Sequence, residues 1–255
     1  MLSTGFYTLL KREVVRYMKS PWMTIVPPLI NAVLYMIIFG VAVGPRLGDV
    51  NGFGYIQFML AGLVMMTAII NAYNNPAFSL FQARWHGNIA DVLTSPMSYF
   101  EILMANVIAG MFRGILTGLL ILVPAVALAG MPVASVFWTL FFLLLVCFAF
   151  SCLGVITGLW ASDWDGANNL LTFVITPLAY LGGVFYSIDM VKGIPLLYQL
   201  TLLNPITYMV NGLRYGLLGM SEVDLMFGTA LIAIMSIGLF AVCLRLFSTG
   251  WNLKK

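Results

Sequence analysis

The sequence predicts an all-α polytopic membrane protein with six transmembrane helices, an N-terminal interfacial helix, and a re-entrant outer helix pair between the fifth and sixth spans. Composition is the first ground: 62% of the 255 residues are apolar, 8% are charged, and the mean hydropathy is +1.00. Soluble domains carry roughly 25% charged residues, and a domain of this size could not hide so much apolar surface from water. The second ground is the recurrence of uncharged runs near the roughly 20 residues that a helix needs to cross a hydrocarbon core. The third is the way the cations sort to one side of those runs. The same counts exclude other classes. A net charge of +3 from 12 scattered cations builds no nucleic-acid face. One histidine, three cysteines and nine carboxylates leave little for a metal centre or an acid/base pair, so no metal site and no catalytic residue is assigned.

Residues 1–255 read as one transmembrane domain. Residues 1–21 form the interfacial helix. At about 100° per residue, Phe6, Tyr7, Leu10, Val14, Tyr17 and Met18 share one arc, and Arg12, Arg16 and Lys19 lie nearly opposite, over anionic headgroups. The first span, 22–43, is longer than the apolar core of a signal peptide and is read as a retained helix, closed by Gly44, Pro45 and Arg46. The second, 53–73, lies within an uncharged stretch. A connector at 74–98 follows, mixing Phe78, Phe81 and Trp85 with Arg84, His86 and Asp91 and ending in Thr94, Ser95 and Pro96. It reads either as a short helix presented to a partner or as an amphipathic surface segment without one.

No charge occurs between Arg113 and Asp163, and Gly130, Met131 and Pro132 divide that stretch into a third span, 102–128, and a fourth, 133–160. The fifth is 167–186 and the sixth 225–244. Between them, 187–224 is assigned to the outer side as a re-entrant region. Its run at 193–213 is long enough to cross, but Asn204 and Pro205 interrupt it. The residue before proline is pushed out of the helical region, and each remaining piece reaches about half a bilayer. Broken backbone at membrane depth survives where protein or a wet cavity satisfies it.

With the N-terminus inside, Lys11, Arg12, Arg16, Lys19, Arg84, Arg113, Arg245, Lys254 and Lys255 lie toward the cytoplasm, against Arg46, Lys192 and Arg214 outside. That asymmetry satisfies the positive-inside rule, and five of the six tryptophans fall at cytoplasmic ends, with Trp138 near an outer one. Arg113 lies deep enough to snorkel or to pair with another helix. Gly110, Gly114 and Gly118, and likewise Gly154 and Gly158, repeat at four-residue spacing, which suits close packing within the subunit or a dimer seam. Pro27, Pro28, Pro124 and Pro177 are expected to kink their helices. Cys147, Cys152 and Cys243 sit in apolar runs and read as core residues. No carboxylate falls near a span midpoint, which disfavours proton coupling, and no glycine precedes a lysine, so the chain has no phosphate-binding loop. Transport against a gradient would draw its energy from another polypeptide.

Three stretches carry a family resemblance. They are Val26-Pro27-Pro28 with Gly54-Tyr55-Ile56-Gln57-Phe58, then Asn88-Ile89-Ala90-Asp91-Val92-Leu93-Thr94-Ser95-Pro96, and most specifically Tyr180-Leu181-Gly182-Gly183-Val184-Phe185-Tyr186 followed by Leu203-Asn204-Pro205-Ile206-Thr207-Tyr208 and Arg214-Tyr215-Gly216. Over essentially the whole chain the sequence resembles the membrane subunit of bacterial ABC-2 type exporters, closest to inner-membrane permeases of unassigned cargo.

The resemblance implies an inner-membrane permease with both termini cytoplasmic, working as a homodimer or with a related permease among membrane lipids. It binds no nucleic acid and no cofactor of its own, while a separate nucleotide-binding ATPase uses ATP and Mg. It implies an ATPase-coupling helix involving Arg84, Trp85, His86, Gly87, Asp91 and Pro96, where Ala90 replaces a frequent acid and Asp91 keeps one beside it. It also implies an outer re-entrant gate at Asn204, Pro205, Tyr208 and Arg214, and a pathway lined by Tyr35, Phe39, Phe173 and Tyr180. The expected cargo is a lipid, a glycan or an amphipathic drug-like molecule. Two rivals stand on the residues alone: a secondary carrier or channel with ion sites made from backbone carbonyls, and an intramembrane lipid-modifying enzyme using His86 and Asp91.

Overall fold

The computed structural model describes residues 3–252, with all of their side chains except those of 23, 40–43, 45 and 47. Lys254 and Lys255, counted above among the inner cations, lie outside the described residues. Among the described residues the fold is all-α apart from one hairpin of two two-residue strands. In chain order the elements are α1 (Thr4–Met18), α2 (Pro21–Thr24), α3 (Val26–Tyr35), a π-helical continuation (Met36–Val43), α4 (Gly44–Leu47), β1 (Asp49–Val50) and β2 (Phe53–Gly54). Then come α5 (Tyr55–Trp85), α6 (Ile89–Leu93), α7 (Tyr99–Ala129), α8 (Val136–Trp160), α9 (Trp164–Leu170), a second π-helical segment (Leu171–Ile175) and α10 (Thr176–Leu181). The chain ends with α11 (Ile188–Val191), α12 (Pro195–Leu203), α13 (Pro205–Leu218) and α14 (Leu225–Thr249). Among the described residues, α5, α7, α8 and α14 are long and apolar enough to cross a membrane. The protein is therefore a polytopic helical membrane protein.

Helix α5 is the trunk. It packs along both α7 and α8 and is buried over most of its length, whereas α14 lies at the periphery with Ile234 and Ile237 exposed. The glycine stripes explain the close approach. A Cβ at Gly154 of α8 would stand 2.3 Å from the Tyr73 carbonyl oxygen, and one at Gly110 of α7 would stand 2.9 Å from that of Ala72. Both stripes are thus used within the subunit, because only hydrogen side chains let these backbones touch α5.

The second span runs further than its expected end at 73. Helix α5 continues through Asn74, Asn75 and Pro76 to Trp85 as one 31-residue rod. Pro76 has no N–H, which frees the carbonyl of Ala72 four residues back, and Ser151 of α8 donates its hydroxyl to that oxygen at 3.2 Å. A neighbouring helix thus satisfies the proline break, and the helix persists.

The segments expected as the first and fifth spans are helical but irregular, each carrying a π-helical stretch. The first comprises 10 α-helical residues followed by 8 π-helical ones. The fifth has 7 α-helical, 5 π-helical and 6 more α-helical residues, with Pro177 at the start of its last piece. The straight helices carry firm ends instead. Ser98 and Glu101 form a reciprocal cap at the start of α7, Asp224 caps α14 by accepting from Phe227 N at 2.7 Å, and Gly130, Gly219 and Gly250 end helices in the left-handed region.

Helix α1, expected to lie at the membrane interface, turns a different face inward from the apolar arc read in the sequence. Its buried face is Phe6, Leu9, Glu13 and Tyr17, while Tyr7 and Met18, expected on the shared apolar arc, are exposed. Glu13 turns inward because its charge is matched. It pairs with Arg12 at 3.1 Å and Arg16 at 3.2 Å, and Ser79 of α5 donates to it at 2.5 Å. At the same end, Ser3 N donates to Glu101 Oε1 at 2.7 Å, tying the start of α1 to the start of α7.

Candidate functional site

Three groups of residues were expected to work: a coupling segment, an outer gate and a pathway. In the coupling segment the structure separates one residue from the rest. The guanidinium of Arg84, in the last turn of α5, donates to the carbonyls of Gly158 at 3.0 Å, Leu159 at 2.6 Å and Ala161 at 3.1 Å. These are the unpaired carbonyls at the end of α8, so Arg84 locks the two helix ends together while it also lines the open cleft described below.

Beyond it, Gly87 takes a positive φ of 75°, which turns the chain into α6. Ile89 anchors α6 in an apolar cluster with Leu9, Leu80, Leu103 and Phe247. Trp85, His86, Ala90, Asp91 and Pro96 are left exposed. An open cleft of about 560 Å³ lies between α6 and the turn that follows α8, with Arg84, Trp85, Leu93 and Ser162 on its walls. Five of the six expected coupling residues therefore share an exposed end of the molecule, and Arg84 braces it.

At the opposite end of α5, Asn204 is the hinge between α12 and α13. Its Nδ2 donates to Leu178 O at 2.6 Å, and its Oδ1 accepts from Ile206 N at 3.0 Å, so one buried amide caps α13 and ties it to α10. Pro205 occupies the first position of α13, where its missing N–H costs nothing. Tyr208 donates its hydroxyl to Leu202 O at 3.0 Å, closing the pair of helices on itself.

Arg214, expected at the outer surface, is wholly buried. Its Nη2 donates to Gly183 O at 2.6 Å and Val184 O at 3.3 Å, its Nη1 lies 3.6 Å from Glu222 Oε2, and its guanidinium stacks 3.5 Å from the Phe58 ring centroid. The Glu222 carboxylate also accepts from the Ser187 hydroxyl, from Ile188 N at 3.3 Å and from Asn51 Nδ2 at 2.9 Å. This knot joins α5, α13, the Gly182–Gly183 turn and the β1–β2 hairpin. The sequence reading treated Glu222 as an ordinary loop acid, and no local signal marks it, since its partners come from three separate segments, at Asn51, at Ser187 and Ile188, and at Arg214.

Three of the four pathway aromatics come together. The rings of Tyr35 and Phe39 lie 5.9 Å apart, and Phe185 joins both at 5.6 Å and Tyr180 at 5.7 Å. Phe185 was not selected, although it lies within the run from Tyr180 to Tyr186. Phe173 stands apart and is exposed. A cavity of about 400 Å³ adjoins this cluster, bounded by the broken first and fifth helical segments, α5 and α7. Arg113 reaches its wall, with its guanidinium 5.7 Å from the Tyr17 ring centroid. No group of three or more metal-ligating side chains occurs among the described residues.

A polytopic helical protein with a braced exposed end, a buried polar junction at the other end and an aromatic cavity between broken helices is built as a membrane permease. The chain matches the family model for the ABC-2 type transporter over residues 4–218 and belongs to that family. It is 40% identical over 245 residues to the inner membrane transport permease YadH of Escherichia coli K12, covering 95% of this chain and 94% of that one. It is also 24% identical to nodulation protein J of Rhizobium leguminosarum bv. trifolii, over 87% of this chain and 84% of the relative. Nodulation protein J of Sinorhizobium fredii NGR234 is likewise 24% identical, over 94% and 89%. The chain is thus the membrane permease subunit of an ABC exporter, an inner-membrane multi-pass protein and not an enzyme, and its family implies an ABC ATPase as a separate subunit.

Proposed function

We propose that this permease exports a lipid, glycan or amphipathic drug-like molecule, driven by ATP and Mg bound on the partner ATPase. The working unit is a two-fold homodimer, or a pseudo-symmetric pair with a related permease, held among membrane lipids. Each subunit crosses six times with both termini cytoplasmic: α5, α7, α8 and α14 as whole helices, and the segments α2 to α4 and α9 to α10 as broken ones. Helices α12 and α13 dip in from the outer side, and the segment from Trp85 to Pro96 docks on the ATPase.

The observation that carries this reading is the course of α5. Its 31 residues form one unbroken rod of about 46 Å. Arg84 braces it beside α6 at one end, and at the other Phe58 lies under Arg214 while Tyr55 donates to Phe185 O at 2.9 Å. A displacement of α6 would travel along a stiff element to the junction beside Asn204 and Pro205 and to the aromatic cluster of Tyr35, Phe39, Phe185 and Tyr180.

The test is co-purification in detergent with the ATPase subunit. Paired Ala90→Trp and Asp91→Arg substitutions alter only the exposed side of α6. ATPase recovery should fall to background while the thermal unfolding midpoint of the permease stays within about 2 °C, less than roughly 1 kcal/mol would move it. Recovery equal to wild type would refute docking at this segment.

A further inference from the structure

Among the described residues the cations that pair with carboxylates are Arg12 and Arg16 with Glu13, Lys192 with Asp189, and Arg214 with Glu222. Arg113 is different. It sits midway along α7, half-buried, and none of the described carboxylates lies within ion-pair distance of it. Its Nε has no hydrogen-bond partner, and the same is true of Asn74 Oδ1 beside it on the cavity wall and of Arg16 Nε and the Tyr17 hydroxyl behind it. Glu13 does not neutralise this region, since its single charge already faces both Arg12 and Arg16. A guanidinium keeps its charge at any relevant pH. Leaving one uncompensated at membrane depth is costly, and such a residue marks a site.

The cavity that Arg113 borders has two kinds of wall. Asn31, Thr67, Asn71, Asn74 and Thr176 are polar, while Leu63, Met66, Ile70 and the Tyr35 and Tyr180 rings are apolar or aromatic. Its volume of about 400 Å³ suits a headgroup with the first part of its chain rather than a bare ion. Side chains on a helix lean toward its N-terminus, so Arg113 reaches back toward Tyr17 and the interfacial helix, at the level of the inner leaflet.

We propose that this cavity receives the anionic headgroup of one amphiphile and that Arg113 is its counter-ion, with the amide nitrogen of Asn74 as a donor to the anion and its Oδ1 as an acceptor for a headgroup hydroxyl. The role of the site as the loading station of the export pathway rests on the transport reading given above. Binding itself does not, and it is measurable on the full chain without nucleotide or ATPase. A failure here would leave the permease reading intact, and a failure of ATPase docking would leave this site intact.

The experiment is thermal unfolding of the purified chain in dodecylmaltoside, titrated with dioleoylphosphatidylglycerol, with dioleoylphosphatidylcholine or with inorganic phosphate. The anionic lipid should raise the unfolding midpoint saturably and the zwitterionic lipid should not. In Arg113→Gln the half-saturating lipid concentration should rise at least about tenfold, the loss of one charge-assisted hydrogen bond. Arg113→Lys should recover most of the binding, and Arg245→Gln, a cation on the exposed side of α14, should bind as wild type. Thr67→Trp, which fills the cavity and keeps Arg113, should also abolish the shift, and it decides the matter if Arg113→Gln does not fold. Equal shifts by the two lipids, or an unchanged titration in Arg113→Gln or Thr67→Trp, would overturn the site. A full shift with inorganic phosphate alone would overturn the amphiphile and assign a soluble anion instead.

Discussion

Replacing Glu222 by Gln probes the most concentrated electrostatic feature of the fold. Arg214 is fully buried, and Glu222 is the only carboxylate among the described residues that pairs with it, at 3.6 Å. With an effective dielectric constant near 20, two unit charges at that distance attract by about 4–5 kcal/mol. Removing one partner of a buried pair costs about 3–5 kcal/mol, because the remaining charge is left without compensation. The carbonyls of Gly183 and Val184 and the face of Phe58 soften that cost without cancelling it. Glu222→Gln keeps the shape and an acceptor for Ser187 or Asn51, so the loss isolates charge from packing. Reversible unfolding in mixed detergent and SDS micelles should show Glu222→Gln destabilised by about 3–5 kcal/mol. Arg214→Met combined with Glu222→Gln should be more stable than the two single changes sum to, by a coupling of at least about 2 kcal/mol. A single Glu222→Gln variant within about 0.5 kcal/mol of wild type would show that the pair is solvated, and the reasoning would fail.

Two further outcomes follow from the geometry. Gly154→Ala places a methyl 2.3 Å from the Tyr73 carbonyl and should cost about 1–3 kcal/mol in the same unfolding assay, while Gly238→Ala, which meets nothing within 4 Å, should be neutral or slightly stabilising. Glu101 is held well below the ordinary carboxylate value, at about 2, chiefly by the backbone N–H of Ser3 and then that of Ser98. A depressed carboxylate stabilises the fold fully above its unfolded value near 4.5 and loses that contribution as pH falls toward about 2. The protection of the Ser3 and Ser98 amides, taken as exchange relative to an unstructured amide at the same pH, should therefore fall across that window in the wild type, whereas in Glu101→Gln it should already be low at neutral pH and show no such added loss.

What the sequence disclosed depended on whether the cause was local. Helices α7, α8 and α14 overlap the runs expected at 102–128, 133–160 and 225–244, because uncharged stretches and terminal caps are both written in neighbouring residues. The end of α5 was not legible. Asn74, Asn75 and Pro76 have the composition of a loop, yet Ser151, 79 residues from Ala72, supplies the hydrogen bond that keeps the helix going, and Arg16 bonds Asn75 at 3.2 Å. The burial of Glu13 was not legible for the same reason. Only Ser79, 66 residues away, together with Arg12 and Arg16, makes a buried carboxylate tolerable on a helix read as amphipathic. Within the candidate site, the helix break at Asn204 could be read from the proline that follows it, whereas the bonds of Arg84 and Arg214 required knowing which distant carbonyls lacked donors.

The two helices that carry π-helical stretches have a common physical logic. A π-helical turn widens the backbone ring and, like a proline, leaves carbonyls imperfectly paired, which hydrocarbon penalises by several kcal/mol each. The two irregular stretches, Met36–Val43 and Leu171–Ile175, belong to segments that border the aromatic cluster and the cavity beside Arg113, and helices α5, α7 and α8, buried against one another, contain no π-helical turn. The irregular stretches adjoin residues that line the cavity, Tyr35 before the first and Thr176 after the second, and regular backbone runs where the helices are buried against one another. Deformability is therefore concentrated around the cavity, and stiffness in the trunk that joins α6 to the Arg214–Glu222 junction. A permease needs that division, since a rod that bent along its length would dissipate a displacement before it reached the far end, and a cavity walled by straight helices could not change its shape around a passenger.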